Sequence, residues 1–364
     1  MARVVLALSG GVDSSVAAHL LLEAGHPVVA VTFRLLDPGE SSPQADAVDR
    51  ARRVAERLGI PLEVMDLRKA FRQRVIRFFV EGYRLGLTPN PCVLCNRVIK
   101  FWALGEALSR YQAQALATGH YARSREGRLL RARDRQKDQS YFLAWIPRRT
   151  LPHLHLPLGD RTKAEVRRLA HRLGLEETVG HESQDICFVP DDYRAFLQPY
   201  LGEKPGEIVD SRGRVLGHHP AYYAFTPGQR RGLGVALGRR LYVLRVDPHR
   251  RRVTVGPREA LFRQEAWAYR FRWLVDPPPW GEPVALQVRY RTAPVPARVE
   301  PAGPFARLRF DEPVWNPAPG QFAVAYRGDE LLGGGLLVSE PDEEAAQTLE
   351  ALLGPDPLEP LEPT

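Results

Sequence analysis

Residues 4–25 read VVLALSGGVDSSVAAHLLLEAG, and this stretch decides the fold. Its apolar start, Val4 to Leu8, predicts a strand, and the Ser-Gly-Gly that follows predicts a turn. From Val12 the apolar residues recur on one helical face until Gly25, which predicts a helix that ends there. Strand, glycine turn and helix in this order indicate the start of an α/β domain, with an anion site at the helix N-terminus.

The same alternation continues along the N-terminal half. Apolar runs at 28–33, 62–67 and 115–118 predict further strands, and the stretch 44–58 predicts a helix. This rhythm is typical of a parallel sheet with helices on both faces, whose ligands bind beyond the carboxyl ends of the strands. The residues at those ends are Gly10, Gly11, Phe33 and Gly119.

After residue 201 the pattern changes to short β-like runs, such as 208–209, 241–246, 253–255 and 284–290, separated by Gly, Pro and Asp turns. A proline cluster at 277–279 predicts a linker. The predicted fold class is therefore α/β, a Rossmann-like parallel-sheet N-terminal domain followed by two small barrel-like β domains. The predicted bounds are 1–200 for the catalytic domain, 201–275 and 276–340 for the β domains, and 341–364 for an acidic mobile tail with one helical segment.

Charge favours a polyanionic partner. The 364 residues include 51 Lys and Arg against 43 Asp and Glu, although residues 340–364 carry eight acids and no basic residue. Lysine occurs only at 69, 100, 137, 163 and 204, so nearly all the positive charge is arginine, which suits bidentate phosphate contacts. The alternative is that heat adaptation or genome composition enriches arginine everywhere.

Three cysteines in a chain of this length exclude a disulfide framework. The N-terminus lacks the pattern of a signal peptide, and no stretch approaches 18 uninterrupted apolar residues. We therefore expect a cytoplasmic protein with no membrane partner. In a reducing compartment such cysteines are buried, catalytic or metal-bound.

The turn Ser9-Gly10-Gly11-Val12-Asp13-Ser14-Ser15 lacks the lysine of a Walker loop and the spacing of a dinucleotide fingerprint. It resembles the pyrophosphate loop of enzymes that split ATP between the α and β phosphates. The alternative is a simple helix N-cap by Ser9 or Asp13. ATP cleavage would require Mg²⁺ to neutralise the pyrophosphate, and Asp13 is a candidate helper.

A second motif reads TPNPCVLCNR at 88–97, followed by Ile99-Lys100-Phe101. It resembles the motif of the bacterial tRNA-specific 2-thiouridylases in which a loop presents a cysteine to the target base. Ile186-Cys187-Phe188 is similar to the segment that carries the family's second cysteine. The resemblance spans about residues 2–338, and its further segments lie at 117–121, 137–143, 226–230, 289–291 and 319–321.

The resemblance implies ATP-dependent adenylation of the wobble uridine 2-oxygen in tRNA anticodon loops, then sulfur transfer giving 2-thiouridine, AMP and pyrophosphate. It implies tRNA and a persulfide-carrying sulfur-donor protein as partners, with Cys95 as nucleophile and Cys187 as persulfide carrier. Its ATP-binding residues are Ala7, Leu8, Ser9, Gly10, Gly11, Val12, Asp13, Ser14, Phe33 and Gly119. Its tRNA- or base-binding residues are Asn90, Pro91, Cys92, His120, Lys137, Asp138, Gln139, Arg289, Tyr290, Arg291 and Gln321.

Cys92 departs from the family pattern, in which aspartate is common at this position. With Cys95 and Cys187 it makes a set of three thiolates, which favours a 4Fe–4S cluster with one open iron, ahead of zinc. Otherwise Cys92 is a neutral substitution, and Cys187 and Cys95 act as a persulfide and disulfide pair. Either route needs thiolates, and the basic pocket is expected to lower their pKa.

Ordinary structural roles are the alternatives at several positions. His120 could be a structural histidine, Cys187 a small buried hydrophobe, and Arg289 and Arg291 the solvated face of a strand. Two other functions remain open. One is an amide-forming synthetase that uses the same loop on a small molecule, and the other is an RNA-binding scaffold with a vestigial nucleotide loop.

Overall fold

The structure is a computed structural model, and it describes residues 1–37, 39–40, 46–175, 186–190, 192–235, 238, 240–279 and 281–356. The N-terminal domain alternates strands and helices, as predicted. Its elements are β1 (Val4–Ala7), α1 (Val12–Glu23), β2 (Val28–Arg34), α2 (Ala47–Leu58), β3 (Leu62–Asp66), α3 (Arg68–Phe71), α4 (Arg77–Arg84), α5 (Pro91–Cys95), α6 (Trp102–Arg110), β4 (Ala115–Ala117), β5 (Ala122–Arg125), β6 (Arg128–Arg131), β7 (Leu154–His155), α7 (Lys163–Arg172) and α8 (Tyr193–Leu201).

The parallel sheet has the strand order β3-β2-β1-β4-β7, so β1 is central. Val5 packs into one core, while Val4 and Leu6 pack into the core on the opposite face, and all three are fully buried. Burial on both faces explains why β1 is a continuous apolar run. The chain passes from β1 to β2 and β3 on one side, and β4 and β7 lie on the other. The carboxyl ends of β1 and β4 therefore form the switch point at which such sheets bind ligands.

Two long helices contain a π-helical segment. Arg72–Ile76 connects α3 to α4, and Asn96–Phe101 connects α5 to α6. Such segments are rare and occur frequently at functional sites. No helix in the described part of the chain is long and apolar enough to cross a membrane.

A four-stranded sheet follows the N-terminal domain, with the order β10-β11-β8-β9. The strands predicted at 208–209, 241–246 and 253–255 are confirmed. The bounds are β8 (Gly206–Val209), β9 (Val215–His219), β10 (Tyr242–Asp247) and β11 (Arg252–Gly256).

The C-terminal strands close into a barrel in the order β12-β15-β14-β13-β16-β17, because β17 also pairs with β12. Closure removes the unpaired edges of the sheet. Glu330 of β17 also pairs with Leu130, which attaches the β5–β6 hairpin of the N-terminal domain to the barrel. The bounds are β12 (Phe262–Trp273), β13 (Val284–Gln287), β14 (Val295–Ala302), β15 (Phe305–Trp315), β16 (Phe322–Arg327) and β17 (Glu330–Val338).

The predicted boundary at 275/276 does not match the strand pairing. β12 pairs with both β15 and β17, so residues 262–273 belong to the barrel. The prolines at 277–279 lie in a loop between two barrel strands and are not a linker. We propose that the boundary between the two β domains lies near residue 260.

The acidic tail contains the expected helical segment, α9 (Glu343–Leu353), and this helix is packed. Leu349, Leu352 and Leu353 lie on one helical face and are buried, and the helix contacts α4. Mobility, predicted for the whole tail, therefore does not apply to this segment. Residues 357–364 lie outside the described ranges.

Candidate active site

The turn after β1 forms a compact loop at the switch point. The Ser9 amide donates to Ser14 Oγ at 3.2 Å, and the Ser15 hydroxyl donates to the Gly11 carbonyl at 2.9 Å. Gly11 is the N-cap of α1, and no side chain in the described ranges caps the helix. The simple N-cap alternative is therefore wrong. The first-turn amides of α1 remain available to an anion.

Two glycines allow the loop to approach its neighbours. Gly10 has φ +70°, and a Cβ there would lie 2.5 Å from Arg50 Cβ and 2.6 Å from the Ala51 amide nitrogen of α2. Gly119 follows β4, and a Cβ there would lie 2.8 Å from the Ser14 amide nitrogen. The loop therefore lies between α2 and the end of β4 with no room for a side chain at either glycine.

The other predicted nucleotide residues lie at the same edge of the sheet. Ala7 ends β1, and Leu8 follows it with its amide donating to the Val31 carbonyl at 2.9 Å. The Leu8 side chain is buried in the core, so only its backbone is available to a ligand. Val12 opens α1, and Phe33 is buried near the end of β2.

Asp13 and Lys163 form a half-buried ion pair beside the loop. Lys163 Nζ lies 2.7 and 2.9 Å from the two carboxylate oxygens of Asp13, and the Tyr121 hydroxyl donates to Asp13 Oδ1 at 2.8 Å. The carboxylate that was expected to help hold Mg²⁺ is therefore bound by protein groups. Lys163 was not among the predicted residues. Two features of the sequence could have pointed to Lys163. It is a lysine in an arginine-rich chain, and it directly follows Thr162, the N-cap residue of a capping box.

Cys92 and Cys95 lie on α5, three residues apart and hence on one helical face. Asn90 is the N-cap, and its side chain accepts a hydrogen bond from the Cys92 amide at 3.2 Å, while Pro91 occupies the first turn. The side-chain oxygen of Asn90, a residue predicted to contact the base, is therefore engaged within the protein. Cys95 is buried and Cys92 is half-buried.

Cys187 reaches the site from a turn that an aromatic cluster anchors. The Val189 amide donates to the Ile186 carbonyl at 3.0 Å and closes the turn. Phe188 is buried, with its ring centroid 5.3 Å from that of Phe79. The residues immediately before Ile186 lie outside the described ranges.

The three thiols and Lys100 interact electrostatically. Burial raises the pKa of Cys92 to about 12 and that of Cys95 to about 12, and it also raises the pKa of Cys187. The Lys100 ammonium opposes this by lowering all three pKa values, whereas a charge on Cys187 would raise the pKa of the other two thiols. The expected lowering of the thiol pKa is wrong, because burial outweighs the nearby cation.

His120 connects the loop with the thiols. It follows Gly119, and its Nδ1 lies 2.8 Å from the Thr118 hydroxyl. Burial, followed by repulsion from Lys100, lowers the pKa of His120 to about 3, so its imidazole is neutral at physiological pH. Since Gly119 contacts the loop and Lys100 acts on the thiols, the phosphate loop and the cysteines belong to one site.

A tilted aromatic pair joins the barrel to the N-terminal domain. The Tyr290 ring centroid lies 4.4 Å from that of Phe142, and the Arg291 guanidinium lies 5.3 Å from the centre of the Tyr290 ring. The predicted strand 284–290 ends at Gln287, and Arg289, Tyr290 and Arg291 form a turn in which Arg291 has φ +65°. The alternative that Arg289 and Arg291 form the solvated face of a strand is therefore wrong. Aromatic and guanidinium planes of this kind stack on nucleic-acid bases.

The segment 137–139 is bound largely to the protein itself. Lys137 is half-buried, and the Gln139 side chain accepts a hydrogen bond from the Tyr121 amide at 3.0 Å. Asp138 is buried and accepts three hydrogen bonds, from Arg131 Nε and the amides of Ala132 and Ser140. Asp138 and Gln139 shape the site, and their contact with tRNA stays a prediction.

Hydrogen bonds join the barrel to the loop that precedes α5, the helix that carries Cys92 and Cys95. The Thr88 amide donates to the Pro319 carbonyl at 2.8 Å, and the Asn90 amide donates to the Gly320 carbonyl at 3.0 Å. Gln321 is buried, and its Nε2 donates to the Thr88 carbonyl at 2.8 Å. Gly320 has φ +92°, and a Cβ there would lie 2.8 Å from the Thr88 backbone. We name this contact the barrel clasp.

Three family models match the chain in succession. Residues 2–191 match the tRNA methyl transferase HUP domain, residues 194–257 the tRNA methyl transferase PRC-barrel domain, and residues 263–337 the aminomethyltransferase beta-barrel domain. The first model alone covers more than half of the chain.

Curated relatives match nearly the whole chain. The tRNA-specific 2-thiouridylase MnmA of a Synechococcus strain is 47% identical over 346 residues, covering 92% of this chain and 94% of that protein. The MnmA of Thermus thermophilus is 46% identical, covering 93% and 95%, and that of Geobacter metallireducens is 46% identical, covering 92% and 96%. The chain belongs to the tRNA-specific 2-thiouridylase family.

For this 2-thiouridylase family member, the three cysteines were predicted to hold a 4Fe–4S cluster. None of the three is in a disulfide. Among the described residues, no three His, Cys, Asp or Glu side chains come together in a group that could hold a metal ion. In this arrangement Cys92, Cys95 and Cys187 do not fit a cluster or a zinc ion.

Proposed function

We propose that this chain adenylates the 2-oxygen of the wobble uridine in tRNA anticodon loops and replaces that oxygen with sulfur. The observation that carries the proposal is that Gly119 packs against Ser14 of the loop, while the next residue, His120, and the three cysteines are all influenced electrostatically by Lys100. An ATP-cleaving loop and paired thiols in one site are what an activation step followed by sulfur transfer needs. Membership of the family supports the same reaction.

The first step uses the loop to bind ATP. The uracil 2-oxygen attacks the α-phosphorus, the bond between the α-phosphorus and the bridging oxygen breaks, and pyrophosphate leaves. The first-turn amides of α1 and the hydroxyls of Ser9 and Ser14 would bind the phosphates. AMP on the former carbonyl oxygen is then a good leaving group.

Magnesium would enter with the phosphates of ATP. Mg²⁺ is commonly held by substrate phosphates and water with few protein ligands. The contacts of Asp13 are consistent with this, because its carboxylate already accepts hydrogen bonds from Lys163 and Tyr121. The ion would supply charge neutralisation at the pyrophosphate. Lys163 would hold Asp13 in place beside the loop.

The second step transfers sulfur through the cysteine pair. A persulfide-carrying donor protein, of unidentified kind, would leave the outer sulfur on Cys187. That sulfur attacks C2 of the activated uracil, and AMP leaves with the former oxygen. The Cys95 thiolate attacks Cys187 Sγ, which breaks the sulfur–sulfur bond, leaves the thiocarbonyl on the base and forms a Cys95–Cys187 disulfide. An external thiol then reduces that disulfide.

The barrel turn would bind the anticodon arm. The turn contains Arg289, Tyr290 and Arg291; Tyr290 packs against Phe142, and Arg291 lies over the Tyr290 ring, so the turn offers both charge and an aromatic plane. The target base must leave its stack to reach the thiols, and stacking on aromatic rings compensates part of that cost. A cytosolic location is part of the proposal, since tRNA and ATP meet there.

The test combines the purified chain with an unmodified tRNA transcript, ATP with Mg²⁺ and glutathione persulfide as the sulfur source. The expected products are 2-thiouridine at the wobble position, found by mass spectrometry of the digested tRNA, and AMP in equal amount. A transcript with cytidine at that position is the control and should give neither product.

The rival functions give different results. AMP formed with a small-molecule acceptor, without dependence on tRNA, would support an amide-forming synthetase. Tight tRNA binding with no AMP would support a scaffold with a vestigial loop. Iron and acid-labile sulfide in protein purified without oxygen, at about four of each per chain, would restore the cluster route.

A further inference from the structure

The segment after β17 lies beyond the three matched domains, which end at residue 337. α9 brings this segment back onto the N-terminal domain. Arg77 Nη2 donates to the carbonyls of Ala351 and Leu352 at 2.8 and 3.0 Å, and Arg74 donates to the Pro355 carbonyl. Basic side chains at a helix C-terminus satisfy its last carbonyls. The chain is thereby led into the interior at Asp356.

Asp356 lies in a buried ionic contact between two domains. Its side chain is 5% exposed and accepts a hydrogen bond from Arg97 Nε at 2.6 Å, and Arg272 Nη2 lies 3.1 Å from the same oxygen. Arg97 is 8% exposed and belongs to the N-terminal domain, whereas Arg272 belongs to β12 of the barrel. Loss of one partner from a buried ion pair leaves a charge uncompensated, so this contact constrains both arginines strongly.

Arg97 connects this buried ionic contact to α5, the helix that carries Cys92 and Cys95. It lies two residues after Cys95 in the π-helical segment, and its Nη1 donates to the Trp145 carbonyl at 2.9 Å. The Arg272 guanidinium lies 5.7 Å from the centre of the Trp145 ring, and Trp145 Nε1 donates to the Gly334 carbonyl at 2.7 Å. The barrel therefore fixes the position of Trp145, and Arg97 attaches the end of α5 to Trp145.

We propose that Asp356 is a positioning residue, which holds Arg97 against Trp145 and thereby sets the orientation of the Cys95 thiol. The inference rests on the proposed function of Cys95. Reacting groups must be held within about half an ångström of the productive geometry, which requires support from neighbouring residues. The barrel clasp supports the start of α5, and Arg97 supports the chain just beyond the end of α5.

Glu350 of the same segment provides a matched control. Its carboxylate accepts a hydrogen bond from the Tyr269 hydroxyl at 2.7 Å and pairs with Arg270. These contacts attach α9 to β12. Glu350→Gln therefore weakens attachment of the segment, whereas Asp356→Asn removes the charge that holds Arg97.

The experiment uses the full chain with selectively labelled cysteine, whose ¹³Cβ signals are assigned with single Cys→Ser variants. Asp356→Asn should shift the Cys95 signal and lower kcat for 2-thiouridine formation by tenfold to a hundredfold, on the order expected for a misplacement of about 1 Å. The KM for tRNA should stay within about twofold. Glu350→Gln should lower Tm while leaving kcat and the Cys95 signal as in the parent chain.

An unchanged kcat and Cys95 signal in Asp356→Asn would overturn the proposal, and so would equal effects of the two variants. If Asp356→Asn does not fold, Asp356→Glu keeps the charge on an arm one methylene longer. Positioning then predicts a partial loss of kcat and a shifted signal, whereas a purely stabilising role predicts parent values. Failure of the proposed function is distinct, because the parent chain would then make no 2-thiouridine while the signal still reports on Cys95.

Discussion

At the scale of single residues, the site combines protonated thiols with one cation. Burial raises the pKa of Cys92, Cys95 and Cys187, and the Lys100 ammonium opposes this shift in all three. In the proposed reaction, formation of the thiolate would therefore depend on Lys100. The roles of the three cysteines differ and can be separated by substitution.

Cys187→Ser and Cys95→Ser should each abolish 2-thiouridine formation from glutathione persulfide. The tRNA Kd should stay within about twofold in both, because neither change alters a charge that contacts phosphate. Cys92→Ser is the matched control and should keep most of the activity, since the three cysteines do not fit a metal centre. Loss of activity in Cys92→Ser, with iron bound by the parent chain, would contradict the persulfide route.

The ionisation of Cys95 should depend on Lys100. Because burial raises the pKa of Cys95 to about 12, its ¹³Cβ signal should stay constant from pH 6 to about pH 10 and change only at higher pH. Lys100→Met removes a charge that lowers this pKa, so the change should move to still higher pH. A midpoint near or below the ordinary thiol pKa of about 8.5 would contradict the described burial.

At the scale of elements, the phosphate loop depends on close approach. Gly119→Ala should weaken ATP binding, because the new Cβ meets backbone atoms of Asp13 and Ser14 that cannot move without displacing the loop. Overpacking of this kind costs about 1–3 kcal/mol, which would raise the Kd of ATP by roughly fivefold to 150-fold if the loop must shift. Isothermal titration calorimetry measures this change.

Gly105→Ala is the control for that change. Gly105 lies inside α6, and the described structure has no atom within 4 Å of its added Cβ. The substitution should leave ATP binding unaltered and stabilise the helix by about 0.5–1 kcal/mol. Equal ATP affinity in the two variants would show that the loop tolerates displacement.

The local elements of this fold could be predicted from the sequence, because β1, the loop and α1 are specified by residues that are neighbours in the chain. The contacts between residues far apart in the sequence could not be predicted. Lys163 lies 150 residues from Asp13 and Asp356 lies 259 residues from Arg97, so their pairing depends on the completed fold. The direction of the thiol pKa shifts also depends on burial, which the basic composition did not reveal. The position of the candidate site residues at one edge of the sheet was predictable, because parallel sheets place the carboxyl ends of their strands together.

At the scale of the whole molecule, the N-terminal domain and the barrel together form the surface proposed for tRNA. Arg289→Ala should weaken tRNA binding at moderate salt and reduce the slope of log K against log salt by about 1, because one phosphate contact is lost. Arg52→Ala, an exposed arginine of α2 that pairs with Asp49, is the control and should leave the slope unchanged. Filter binding over a salt series measures both.

The barrel clasp has a consequence for the order in which the protein is made. Gln321 holds the Thr88 carbonyl across 233 positions of sequence, and Pro319 and Gly320 hold the amides on either side of Pro89. Domains fold from the N-terminus during synthesis, so the ribosome completes the sheet and the phosphate loop long before the barrel strands emerge. A nascent chain at that stage can acquire a nucleotide site, but the loop that leads to the cysteines still lacks its hydrogen-bond partners. The sulfur transfer proposed for the cysteines would therefore become available only to a chain that has been translated through the barrel.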